Sequence, residues 1–76
     1  MATREIHTMW SSDRGQWMNQ REGASRVSGY FDRKEQAVTS AQTTARREGL
    51  EWIGHRKDGQ INERNTYRAD PNPPQG

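Results

Sequence analysis

Apolar residues in this chain recur mostly with a period of two, interrupted once by a period near four. In Glu5–Trp10, Ile6, Thr8 and Trp10 alternate with His7 and Met9, the spacing of a strand with two unlike faces. Ser11-Ser12-Asp13-Arg14-Gly15 follows as a turn-rich stretch ending in glycine. Gln16–Arg21 reads as a second strand carrying Trp17, and Glu22-Gly23-Ala24-Ser25 as a second turn. Arg26–Phe31 reads as a third strand, with Val27 and Tyr30 or Phe31 as its apolar content. Three short strands with short connections predict an antiparallel meander.

The period then changes. Ala37, Ala41 and Ala45 recur at i, i+4 and i+8 with Val38 beside them, a narrow helical face of small residues that suits close approach to a sheet. Asp32 with Glu35 three residues on resembles a capping box. Arg46 and Arg47 fall where cations complement a helix C-terminus, and Gly49 suits the left-handed position after it. The helix is predicted over Arg33–Glu48.

Leu50–Arg56 and Gln60–Tyr67 read as two strands around Asp58-Gly59, a strong hairpin signal. Two registers are open. A two-residue loop pairs Arg56 with Ile61 and puts Trp52, Gly54, Arg56 and Ile61 on one face. A type I turn with a glycine bulge pairs Arg56 with Gln60, and Trp52 then sits opposite Arg64 on the other face. One residue of slip moves Trp52 between core and solvent. The fold class is α+β, a small β-β-β-α-β-β domain over residues 1–67, with 68–76 as an extended tail holding Pro71, Pro73 and Pro74.

Composition makes the core thin. Hydrophobic residues are 28% of 76, and Ile, Leu, Val and Phe together number seven. Against disorder stand a net charge of only +2 and three Trp, each able to bury a large area. A short chain without disulfides or metals often gains core by oligomerising, so a homodimer is expected. With no Cys, no apolar membrane-length run and no signal-peptide core, the reading is a cytoplasmic protein that does not engage a membrane. Ten of the twelve basic residues are Arg, balanced by ten acidic ones, which reads first as a mixed soluble surface.

Several segments together resemble one family. They are Trp17, Glu22-Gly23-Ala24-Ser25-Arg26, Lys34-Glu35 with the alanine face, His55-Arg56-Lys57-Asp58-Gly59-Gln60-Ile61, and Tyr67 with Asp70-Pro71 and Pro73-Pro74. In order and spacing they resemble the DUF2188 family of small uncharacterised bacterial proteins, over about residues 5–74. The resemblance implies an architecture and no activity. The family tends to carry aliphatic residues where this chain has Asn19 and Gly54, which implies thinner packing of the second and fourth strands.

Catalytic chemistry has little support. The only histidines are His7 and His55, expected at the rim of the sheet, and a metal site would need both to converge with carboxylates. No Ser lies in a nucleophile elbow and no glycine cluster matches a phosphate loop. No enzyme, cofactor or metal is expected. The expectation is a small non-catalytic binding module that self-associates through its sheet. The alternative is a weak nucleic-acid-binding module with an Arg/Trp face. Candidate contacts for a protein partner or nucleic acid are Arg21, Arg26, Trp52, Arg56, Lys57 and Arg64. Trp52 near Arg56 and Arg64 would stack a base or anchor a partner if exposed. Arg21 and Arg26 bracket a loop, where they would meet phosphates or pair with Glu22 and Glu51.

Overall fold

A computed structural model describes residues 4–67. In chain order the elements are β1 (Glu5–Ser11), β2 (Gln16–Arg21), β3 (Gly29–Phe31), α1 (Lys34–Glu48), β4 (Glu51–His55) and β5 (Ile61–Thr66). The proline-containing tail assigned to 68–76 lies outside the described residues. The strands form one sheet in the order β3-β2-β1-β4-β5. The meander and the hairpin are both present, and α1 carries the chain between them so that β4 lies parallel to β1. All other pairings are antiparallel. The third strand is shorter than its pattern suggests. It begins at Gly29, after the Ser28 N–H has bonded the Asn19 carbonyl.

The helix covers one face of the sheet through its small residues. Ala37, Ala41 and Ala45 are fully buried, and their lack of bulk lets α1 approach the strands. The helix starts one residue later than its pattern suggests. The Gln36 side-chain oxygen accepts the Arg33 N–H at 3.3 Å, while the Asp32 carboxylate accepts from Gln16 Nε2 at 2.8 Å. Gly49 ends the helix at φ 69°, ψ 42°, in the left-handed region that glycine enters without a Cβ clash.

The core is one cluster of Ile6, Ala41, Ala45, Leu50 and Trp52, with Val38 and Tyr67 against it. Trp52 is 0% exposed. Its indole lies across Gly54, where a Cβ would stand 2.7 Å from Trp52 Cη2. The bare backbone at Gly54 is therefore what makes room for the ring. Asn19 is held in the core by a hydrogen-bonded relay. Trp52 Nε1–H donates to Thr8 Oγ1 at 2.9 Å, and the Thr8 hydroxyl donates to Asn19 Oδ1 at 2.6 Å. Asn19 Nδ2–H then donates to the Ala37 carbonyl of α1 at 2.9 Å. Thr8 and Asn19 are both buried, and no buried side-chain polar atom among the described residues lacks a partner.

The hairpin combines both registers. At its tip the Gly59 N–H bonds the Arg56 carbonyl and the Arg56 N–H bonds the Gln60 carbonyl, with Gly59 at φ 93°. This is the bulged turn, and it pairs His55 with Ile61. A second irregularity at Gly54/His55 then takes up one residue, so that Gly54 pairs with Glu63 and Trp52 with Asn65. Two slips cancel, and Trp52 returns to the helix side.

Candidate functional site on the open face

Alternation along each strand assigns the sheet's two faces. Ile6, Thr8 and Trp52 face α1, so His7, Met9, Met18, Ile53 and His55 face away from it. Met9 pairs with Met18, and Met18 with Tyr30, making one apolar row across β1, β2 and β3 on the uncovered side. Tyr30 is 39% exposed. Directly beneath, Trp10, Trp17 and Phe31 form the matching row on the other face, with the two indoles edge to face at 5.4 Å.

Beside the methionine row lies a groove of about 410 Å³. His7, Met9, Gln20 and His55 contribute to its floor and the Arg21–Ala24 turn forms a wall. Gln20 Nε2–H braces that turn by donating to the Ala24 carbonyl at 2.8 Å. The two histidines, each expected at the rim of the sheet, meet in this groove. They are 48 residues apart in sequence, yet the parallel pairing of β1 with β4 sets His7 beside Ile53 and leaves His55 one step further along the same face. His7 Nδ1 and His55 Nε2 are 2.8 Å apart. His7 Nε2 lies 2.9 Å from Glu5 Oε1, and His55 Nδ1 lies 3.0 Å from the Gly59 carbonyl. Among the described residues no group of three or more His or carboxylate side chains could hold a metal ion.

The six residues singled out in the sequence are not brought together. Trp52 is in the core and offers no ring to a base or a partner. Arg21 is engaged by Glu48 of α1 through both of its terminal nitrogens, at 2.6 and 2.5 Å, not by Glu22 or Glu51. This bidentate hydrogen bonding holds the Glu48 carboxyl below its ordinary range and raises Arg21 further above its own. Arg64 reaches Glu51 at 3.6 Å. Arg26 is exposed in the β2–β3 connection, near the start of β1, whereas Arg56 and Lys57 are exposed at the hairpin tip by its other end. Lys57 Nζ rests 4.2 Å from the centre of the Trp10 ring. Arg14 over Tyr30, Lys34 over Trp17 and Arg46 over Tyr67 repeat the arrangement, so the peripheral aromatic faces carry the chain's own cations. The relevant signal in the sequence was weak. His7 and His55 stand at like positions on two strands, and only the parallel register makes them neighbours.

These features define a small α+β domain with one helix-covered face and one open face of mixed polar and apolar character. The chain belongs to the DUF2188 family, described as an uncharacterized protein conserved in bacteria, whose family model matches residues 6–67. No curated protein and no solved structure matches the chain significantly. No helix among the described residues is long and apolar enough to cross a membrane.

Proposed function

We propose that the domain is a non-catalytic binding module of the cytoplasm whose working surface is the open face of its sheet, and that its partner there is a second copy of the same chain. The observation that carries this reading is the apolar row Met9–Met18–Tyr30 lying beside a groove on the one broad face that α1 leaves bare. A thin core adds support, because pairing two such faces would bury the apolar surface that one copy cannot cover. The outer edge offers less. All six residues of β5 are exposed, but Glu63 and Arg64 at its centre disfavour edge-to-edge pairing about a two-fold axis, which would set like charges opposite each other.

The nucleic-acid alternative keeps only exposed Arg26, Arg56 and Lys57 in its support, at two separate ends of the sheet.

Sedimentation across concentrations up to several hundred micromolar tests the proposal. A species heavier than the 8.8 kDa monomer is expected. Met18→Lys should weaken the association by about tenfold or more, equivalent to ~1.4 kcal/mol. A monomer throughout the range overturns self-association. Binding of labelled oligonucleotides in about 50 mM salt, where phosphate contacts are strongest, would shift the assignment to the alternative.

A further inference from the structure

The chain of contacts from Glu5 through His7 and His55 to Gly59 has a fixed hydrogen requirement. The Gly59 carbonyl only accepts, so His55 Nδ1 must carry a hydrogen. The Glu5 carboxylate only accepts, so His7 Nε2 must carry one as well. Between the rings, His7 Nδ1 and His55 Nε2 face each other at 2.8 Å, a link that needs one shared hydrogen. Two neutral imidazoles supply one hydrogen fewer than these three links require. With that hydrogen missing, one link sets lone pair against lone pair or against an acceptor oxygen. With a further hydrogen added, the central link sets N–H against N–H.

We propose that Glu5, His7 and His55 form a single-proton clasp that fastens the tip of the β4–β5 hairpin to β1. It is closed while the histidine pair holds one shared proton and released by gain or loss of one. The inference goes beyond the binding reading and stands without it.

Ring geometry identifies the shared cation as a proton. The ring centroids are 5.1 Å apart. An imidazole nitrogen stands about 1.15 Å from its ring centre, so two rings meeting head-on across a hydrogen bond of about 2.8 Å have centres about 5.1 Å apart. The nitrogens therefore lie on the line between the rings and aim at each other. Two nitrogens on one tetrahedral metal at about 2.0–2.1 Å would stand about 3.3–3.4 Å apart, with their lone pairs converging on a point off that line, whereas these stand 2.8 Å apart and aim at each other.

Other charged groups near the pair are accounted for. Glu51 and Arg64, flanking it on β4 and β5, face each other at 3.6 Å. The Asp58 carboxylate in the tip accepts the Gln60 N–H at 3.0 Å. Glu22 lies in the wall of the groove, while the Arg21 charge beside it is turned to Glu48. Helix α1 is on the opposite face and presents no charge to the pair.

The direction of the pH effect follows from the proton count. An unfolded chain binds two extra protons on its histidines at the acid end of about pH 5–8 and none at the alkaline end. The closed clasp, with all three links made, holds one. The unfolded chain thus binds more protons than the clasp on the acid side and fewer on the alkaline side, so the contribution to stability falls in both directions from a maximum between them. The residue most affected is Ile53. It is 0% exposed on a face with no helix, and its in-register neighbour on β1 is His7. Release of the clasp would lift part of that cover and add an apolar patch to the groove.

The test uses the full chain labelled with ¹⁵N. Spectra of the imidazole nitrogens should show hydrogens on His55 Nδ1 and His7 Nε2, coupling between the two facing nitrogens, and one cation shared by the pair. Amide exchange at His55–Gln60, corrected for intrinsic base catalysis, should be slowest within the window and about tenfold faster on either side. His55→Gln, which cannot titrate, should flatten that profile. Independent titration of the two histidines, an identical profile in the variant, or stronger protection by equimolar Zn²⁺ than by protons would each overturn the clasp. If the variant does not fold, the wild-type imidazole spectrum decides alone.

Discussion

Two polar chains cross this sheet, one on each face, and they differ in kind. The inner relay runs from Trp52 through Thr8 and Asn19 to the Ala37 carbonyl, joining β4, β1, β2 and α1. Each of its hydrogens has one donor and one acceptor, and none of its groups changes charge between pH 5 and 8. The outer chain runs from Glu5 through His7 and His55 to the Gly59 carbonyl and depends on a proton taken from solvent. The contrast shows how a domain poor in aliphatic side chains obtains a defined interior. Polar atoms specify the packing where every one of them is satisfied. The adjustable chain is kept on the face that water reaches.

The largest effect should come from removing the ring that the inner relay positions. Trp52→Ala should cost about 3–5 kcal/mol, against a total of about 4–11 kcal/mol for a chain of this size. Urea titration should find the stability lowered by that amount, enough to unfold the chain if the parent lies at the lower end of that range. A loss below about 1 kcal/mol would mean that the indole is not the centre of the core.

A smaller effect isolates the relay itself. Thr8→Val leaves the Trp52 Nε1–H and Asn19 Oδ1 without their partner and should cost about 1–3 kcal/mol. Adding Asn19→Ala to that variant should cost less than Asn19→Ala alone, with a coupling of about 0.5–3 kcal/mol. Additive losses would mean that the two residues act separately. Neither loss should vary between pH 5 and 8, which separates the inner relay from the outer chain.

The smallest effect concerns Arg21 and Glu48 at the margin between the faces, where solvent screens the pair. The Arg21 guanidinium lowers the Glu48 carboxyl from its ordinary value through hydrogen bonds. Its stabilisation is therefore present above the ordinary carboxylate range and lost as pH falls through the lowered value. Thermal midpoints from pH 7 down to pH 2 should fall less steeply for Glu48→Gln than for the parent. Parallel curves would show that the ion pair does not contribute.

Local signals in the sequence captured much of the fold. The alanine face and Gly49 located the helix, because helical periodicity and a left-handed terminus are properties of neighbouring residues. Asp58-Gly59 marked the hairpin for the same reason. The position of Trp52 was less accessible, since two irregularities had to cancel and only the second depends on how the strand packs. The Arg21 partner was out of reach because Glu48 lies on the far side of a crossover. The histidine pair was hidden by the same crossover. Asn19 and Gly54 looked like separate losses from the core, yet each is needed by the single indole that neither adjoins in sequence.

The parallel contact between β1 and β4 also bears on how quickly the chain can find its structure. Glu5 pairs with Glu51, 46 positions away, so β1, the central strand, has a partner on one side that arrives only after the longest closure in the domain. The β1–β2 and β4–β5 hairpins close across a few residues each and can form early. Docking them against each other must await α1, and until then Ile6 and Trp52 have no common interior. The rate-limiting event should therefore be the meeting of two preformed hairpins across a helix, with the β1–β4 seam as the late and slow step of folding.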